Sequence, residues 1–328
     1  MLARLRARPA ISDVDTDEGV GLGRQRIHLR RFAGPSSFVG AMQTLRIAHL
    51  TDQHFGRVTP LDVQRAAIQL ANDASPDLVA ITGDFVCHSQ LYLDQLEEVL
   101  RLIEAPVVAV LGNHDHWSGA DEVKLALRRA GVLVLCNRHT VVTLHGQRLQ
   151  IVGLDDAYTG HARRDEAIKG LRHDLPTIGL SHIAEEADGL WHYGVPLVLS
   201  GHTHAGQLTF ARLNELTLGR IAGHKYVHGL YGTRNGNGEG ERFAPPGAVY
   251  VGAGIGASVF PFRIGERGQR EVALFDLGVS PGSFDEHHVE QPSHRGRKPS
   301  ARVRAKRAAA VAEKLEKRAK REARRRPG

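Results

Sequence analysis

Leu111-Gly112-Asn113-His114-Asp115 follows Pro106-Val107-Val108-Ala109-Val110, an apolar, β-branched run of strand length bounded by Pro and Gly. A strand ending this way delivers polar side chains to one edge of a sheet, and in open α/β sheets ligands bind at the carboxyl ends of strands. Asn and His can both ligate a metal, and His can also move protons. Alone, such a tetrapeptide reads as an ordinary turn. Its weight comes from repetition. Leu45 to Leu50 runs into Thr51-Asp52-Gln53-His54, and Leu78 to Ile81 into Thr82-Gly83-Asp84. Thr177 to Leu180 runs into Ser181-His182, and Leu197 to Leu199 into Ser200-Gly201-His202-Thr203-His204. Five apolar runs each stop at Asp, Asn or His, a coincidence that chance does not readily supply.

The segments between the early runs read as helices. Pro60 to Asp73 places Val63, Ala66, Ala67 and Leu70 on one face; Gln90 to Glu104 carries a stripe of Leu91, Leu96, Val99, Leu100 and Ile103; Asp121 to Ala130 is stopped by Gly131. Strand and helix in alternation imply parallel strands. The second half is richer in β signals: a hairpin of Thr140–Leu144 and Leu149–Leu154 around His145-Gly146-Gln147-Arg148, then Gln207–Phe210, Lys225–Tyr231, Ala248–Val251 and Arg270–Leu277. Arg26 to Arg30 alternates and reads as an edge strand leading in. Two sheets packed face to face with helices outside are expected.

Residues 1–24 are polar and aperiodic and are expected to be disordered, residues 25–280 to form the folded domain, and residues 281–328 to be a basic tail, disordered or a solvated helix. From His294 onward the chain carries fifteen Lys and Arg against three Glu, so the net charge of +7 belongs to this tail and the rest is mildly acidic. The tail is a candidate anchor for a polyanion or an anionic membrane surface, or equally a nonspecific solubilising extension. Cys87 and Cys136 form no disulfide framework or metal pair and read as buried small apolar residues in a reducing compartment. No run of about eighteen apolar residues suggests a transmembrane helix, and the acidic stretch Ile11 to Glu18 does not suit a signal peptide. The expected location is the cytoplasm, at most peripheral to a membrane.

Two divalent ions side by side need a bridging carboxylate and ligands on both flanks. Asp52, His54, Asp84, Asn113, His182, His202 and His204 supply that inventory. Asp84 suits the bridge, because a carboxylate can bind one ion with each oxygen. Asp52, His54 and His204 would complete one ion, and Asn113, His182 and His202 the other. In an extended segment, His202 and His204 would point to one side with Thr203 facing away. A mixed nitrogen and oxygen set without thiolate favours manganese, iron or zinc over calcium.

Asp-x-His, Gly-Asp, Gly-Asn-His-Asp, a later Ser-His and Gly-His-Thr-His, in this order over about residues 43–277, resemble the calcineurin-like metallophosphoesterases. The resemblance implies a four-layer α/β/β/α sandwich of two mixed sheets, two metals held by the seven residues above, and hydrolysis of a phosphoester by a metal-bridging hydroxide. It makes His114 a non-ligand histidine that protonates the leaving group or steadies charge on the phosphate. The nearest branch looks like bacterial phosphodiesterase-like proteins, which often read Gly-His-Thr-His-Gly-Gly-Gln; here Ala205 replaces a Gly, tolerable unless that position needs positive φ. Val249 to Gly256, Phe262-Arg263 and Glu271-Val272 also resemble that branch. Some of its relatives act on the nucleotide–lipid precursor of lipid A. Gly83-Asp84-Phe85-Val86-Cys87-His88 lacks the second Asp and Arg-Gly of the Ser/Thr phosphatases, so protein phosphatase activity is not expected. A phosphodiester or pyrophosphate substrate follows. The rival is a basic-tailed nucleic-acid or membrane-surface binding protein with a vestigial metal site.

Other residues take plainer readings. His88 is read as lying behind the ligands or at the surface, His116, Trp117 and His173 as exposed loop with substrate contact the alternative, His224 and His228 as structural, and Asp155-Asp156 as a turn in preference to a metal pair. The Gly252–Gly256 run is a weak candidate for cradling phosphate.

Overall fold

The computed structural model describes residues 14–16, 25–206, 223–235, 247–257, 269–286, 290, 291 and 293, with a few single positions between 305 and 316. Most of the N-terminal stretch, the strand expected at Gln207–Phe210, the Phe262-Arg263 pair and most of the basic tail lie outside the described residues.

One sheet has seven strands in the order β1 (Val14–Thr16), β2 (Gln25–Ala33), β13 (Arg270–Leu277), β3 (Leu45–Leu50), β4 (Leu78–Thr82), β5 (Val107–Val110) and β6 (Leu133–Val134). From β3 to β6 every neighbour is parallel, as the alternation with helices requires. β13 returns from the far end of the chain to pair antiparallel with β3 and parallel with β2. The second sheet runs β11 (Gly229–Gly232), β12 (Ala248–Val251), β10 (Leu197–Ser200), β9 (Thr177–Leu180), β8 (Gln147–Gly153) and β7 (Arg138–Leu144). The two-residue turn of the β7–β8 hairpin has positive φ at both His145 (48°) and Gly146 (77°), matching the twist of the strands it joins.

Alternation along each strand builds the layers. Ile47, Ala80, Val108 and Val110 of the first sheet meet Ile178, Leu180, Leu199 and Tyr250 of the second in a shared core. The opposite faces of β3, β4 and β5 put Ala48, Leu50, Val79, Ile81 and Ala109 against α1 (Leu61–Asp73), α2 (Leu93–Leu100) and α4 (Ala120–Arg129). The outer face of the second sheet covers itself with α6 (Ala187–Trp191) and neighbouring loops through Val198, Val249, Leu190 and Trp191. The result is an α/β/β/α sandwich.

Four expectations change. The strand at Arg26–Arg30 is interior, flanked by β1 and β13, and three residues of the stretch read as aperiodic form β1. The second helix is shorter: Gln90–Tyr92 is a 3₁₀ turn capped by Ser89, and Leu91 is 86% exposed instead of joining the apolar stripe. The Lys225–Tyr231 strand shrinks to β11. The folded body passes residue 280: Arg234 is paired with Glu286 (2.5 Å) and Glu290 (2.9 Å), and the Gln291 amide donates to the Leu230 carbonyl at 2.8 Å.

Candidate metal centre

The carboxyl ends of β3, β4, β5, β9 and β10 open onto one edge of the sandwich, where the two sheets face each other. Asp52 and His54 follow β3, Asp84 follows β4, and Asn113 begins α3 (Asn113–Ser118) after β5. His182 follows β9, and His202 and His204 follow β10. All are buried except His202, which is half-buried. The loops approach closely. A Cβ on Gly83 (φ 85°) would lie 2.5 Å from the Gly112 nitrogen, and one on Gly201 would strike Thr51 and Asp52. Both motifs therefore need their glycine.

Ligand-type atoms form three groups: two share Asp84, and the third joins Cys87 and His114 to His54. Those of Asp52, His54, Asp84 and His204 lie within 4.8 Å of one another, and so do those of Asp84, His182 and His202. Within the first, the Nε2 atoms of His54 and His204 are 2.9 Å apart, and Asp52 Oδ1 is 3.3 Å from His204 Nε2. In the second, Asp84 Oδ2 is 3.4 Å from His182 Nε2, which is 3.3 Å from His202 Nδ1. His54 Nε2 also faces Asp84 Oδ2 at 3.6 Å.

Backbone and hydroxyl donors occupy the remaining sides of these groups. Asp52 Oδ2 accepts from Thr51 Oγ1 (2.8 Å) and the His202 amide (3.0 Å), and Asp84 Oδ1 accepts from the His114 amide at 2.8 Å. His182 Nδ1 is 2.7 Å from the Thr82 carbonyl, which can only accept, so Nδ1 carries a proton and Nε2 faces inward. Asp52 Oδ1 and Asn113 Oδ1 are buried with no hydrogen-bond partner among the described residues. Buried acceptors are costly when left unmatched. Carboxylate oxygens and imidazole nitrogens converging in this way, with an unmatched amide oxygen at the start of α3, fit cations in their midst.

The electrostatics agree. Burial, followed by His204, presses His54 well below its ordinary pKa, and burial with His182 does the same to His202, so both offer lone pairs. Burial alone would raise the Asp84 carboxyl, but His182, His114 and His54 hold it well below the usual range. Burial likewise opposes charge on His182, yet Asp84 and Asp52 raise it to about 10. That proton balances carboxylate charge that a bound cation would balance instead.

Five of these residues have positive φ: Asp52 (50°), His54 (46°), Asp84 (54°), His202 (77°) and His204 (51°). Non-glycine residues visit this region at a cost, and such strain concentrates at functional sites. The extended geometry expected for His202–His204 is therefore replaced by two left-handed turns, which send the two imidazoles to different groups. Ala205 also has positive φ (50°), so it carries the strain that a glycine there would relieve.

Several plain readings are revised. His116 is buried, 2.7 Å from Asp155 Oδ1, and not in an exposed loop. Trp117 is half-buried; His173 is exposed. Asp155-Asp156 does form a turn, with Asp156 accepting from the Thr159 amide at 2.6 Å. The Ile255 and Gly256 amides bond to the carbonyls of Thr51 and Asp52, so this glycine run braces the β3 loop and those amides are not free for phosphate. Two residues were not read from the sequence as part of the site. Asp115 accepts from the amides of Gly112 (2.9 Å), Phe85 (2.8 Å) and Val86 (3.2 Å), tying the β4 and β5 loops together; the only signal was its place in the Gly-Asn-His-Asp motif. Cys87 is half-buried, with its sulfur near the ring nitrogens of His54 and His114, contrary to its reading as a buried apolar residue.

The calcineurin-like phosphoesterase family matches residues 45–206, the stretch containing all five strand ends. Phosphodiesterase YaeI of Escherichia coli (strain K12) is 30% identical over 238 residues, 71% of this chain and 82% of its own length. The chain belongs to the calcineurin-like phosphoesterase family. An uncharacterized metallophosphoesterase, YkuE of Bacillus subtilis (strain 168), is 27% identical over 71% of this chain and 78% of its own. A Bos taurus transmembrane protein with metallophosphoesterase domain is 27% identical over 74% of this chain and 54% of its own. Membership makes the protein a phosphoester hydrolase of a metal-dependent family, with a candidate metal-binding cluster at its strand ends. Among the described residues no helix is long and apolar enough to cross a membrane.

Proposed function

We propose that the protein is a dinuclear metal-dependent phosphoesterase that hydrolyses a phosphodiester or pyrophosphate bond. The observation that carries this reading is the pair of ligand groups meeting at Asp84. Asp52, His54 and His204 would hold one ion, Asn113, His182 and His202 the other, and Asp84 both. When bound, such ions polarise phosphoryl oxygens and supply an activated water as nucleophile. The ligand set suits manganese, iron or zinc.

His114 has a different part. Its amide anchors Asp84, while its ring lies on the less buried side of His54, with centroids 4.6 Å apart. From there its Nε2, 3.9 Å from Asp84 Oδ2, can give a proton to the departing ester oxygen. The diester preference is supported by the relative named a phosphodiesterase, and the cytoplasmic location expected from the sequence belongs to the same proposal. The Lys- and Arg-rich stretch after residue 293 would add weak, salt-sensitive attachment to a polyanion or anionic membrane.

Manganese-loaded protein should hydrolyse bis-p-nitrophenyl phosphate, with a lower rate on p-nitrophenyl phosphate, and chelation should abolish both. Absence of turnover on either ester would leave the binding-protein alternative standing.

A further inference from the structure

Burial falls away from the ligand groups in one direction. His54 and His182 are fully enclosed, His114 is 9% exposed, His202, Trp117 and Tyr158 are half-buried, and His88 is exposed. A phosphoester approaching along this gradient would meet rings. Trp117 lies 4.8 Å from the His114 ring, Tyr158 lies 5.0 Å from the His202 ring, and Trp117 and Tyr158 meet edge to face at 6.1 Å. The arc thus reaches from the proposed proton donor to a residue of the second ligand group. His88 also stacks on Trp117, with ring centroids 5.7 Å apart and planes at 12°.

The arc is also fixed in place. Trp117 stands on α3 and Tyr158 on the loop after β8. The buried pair of His116 and Asp155, at 2.7 Å, ties that helix to that loop, and His161 stacks on His116 at 4.0 Å. Asp156 shapes the turn by accepting from the amides of Tyr158 (3.2 Å) and Thr159 (2.6 Å). Each of the two aromatic residues therefore sits beside a residue that is pinned. Rigid aromatic side chains offer contact area at little entropic cost.

We propose that Trp117 and Tyr158 form a preset wall that stacks a planar ring carried by the phosphoester, selecting esters with such a ring over esters of sugars or alkyl alcohols. The inference rests on the phosphoesterase reading and adds the class of substituent. A nucleobase and an aryl group share this chemistry, and the experiment separates them.

The test is calorimetric titration of the manganese-loaded full chain with adenosine 5′-monophosphate, phenyl phosphate and ribose 5-phosphate, all product-like monoesters. Stacking of a base on an aromatic side chain is worth about 5- to 150-fold in affinity, so adenosine monophosphate should bind about tenfold or more tighter than ribose 5-phosphate. Trp117→Ala and Tyr158→Ala should each erase most of that preference and leave ribose 5-phosphate binding unchanged, whereas Trp117→Phe should retain it. Phenyl phosphate binding as tightly as the nucleotide would assign the wall to aryl rings generally; weaker binding would assign it to nucleosides. Equal wild-type affinity for nucleotide and sugar phosphate, or variants that weaken both alike, would overturn the wall. Failure of all three ligands to bind would likewise overturn the wall, while turnover of bis-p-nitrophenyl phosphate decides the phosphoesterase reading separately.

Discussion

Two clusters of buried polar side chains lie close together in this protein and are built on opposite rules. Around Glu271, donors face acceptors: its carboxylate receives Arg30 Nε at 2.6 Å, the Tyr250 hydroxyl at 2.8 Å and the Ala253 amide at 2.7 Å, with His228 Nε2 at 3.2 Å. At the strand ends the matching is incomplete: His54 and His204 bring Nε2 against Nε2 at 2.9 Å, and Asp52 Oδ1 and Asn113 Oδ1 have no hydrogen bond among the described residues. Both clusters are buried and rich in charge, so neither burial nor composition tells them apart. Polar satisfaction does. A matched cluster stabilises the fold unaided, whereas oxygens left unmatched beside imidazole nitrogens favour a cation in their midst.

The contrast is broken most severely at Asp84, which belongs to both ligand groups. Asp84→Asn keeps the shape but removes the shared charge, so metal content should fall well below two per chain and turnover of bis-p-nitrophenyl phosphate should vanish. Elemental analysis after gel filtration checks this. Two tightly held ions in that variant would show that Asp84 does not bridge.

A smaller effect is expected at His114, which touches the cluster without being counted among its ligands. His114→Ala should keep both ions and lose about 10²–10⁴-fold in turnover, the usual contribution of a positioned acid or base. The loss should shrink for esters with better leaving groups, which need less protonation. Loss of an ion in this variant would move His114 into the ligand set and redraw the boundary between ligands and proton donor.

Much of this was legible in the chain, for an identifiable reason. Strand-end motifs are local: Gly83-Asp84 and Gly112-Asn113-His114-Asp115 announce themselves within a few residues, and the short apolar runs of β3, β4 and β5 mark strands buried on both faces. What escaped was non-local. The pairing of β13 with both β2 and β3 joins residues more than two hundred positions apart, and no periodicity encodes it. The His116–Asp155 pair and the meeting of Trp117 with Tyr158 depend on two loops that only the finished sandwich brings together. Leu91 misled because its spacing continues the stripe of α2, while the Ser89 cap holds it in a separate turn facing solvent. The left-handed turns at His202 and His204 were hidden for another reason: positive φ at a non-glycine residue is a strain imposed by the site, not a preference of the residue.

The mildest effect on chemistry should come from the matched cluster, although its effect on stability is not mild. In Glu271→Gln, an amide replaces a carboxylate that faces the Arg30 guanidinium, with both side chains almost wholly buried. One partner of a buried ion pair is then lost while the other stays charged, which typically costs about 3–5 kcal/mol. The amide oxygen can still accept from the Ala253 nitrogen, so the Gly252–Gly256 segment that braces Thr51 and Asp52 should keep its place. Chemical denaturation should therefore show a lower midpoint at unchanged slope, while metal content and turnover per folded molecule stay at wild-type values. If instead the variant loses metal at undiminished stability, the cluster around Glu271 is part of the site's support, and polar satisfaction no longer separates the two regions.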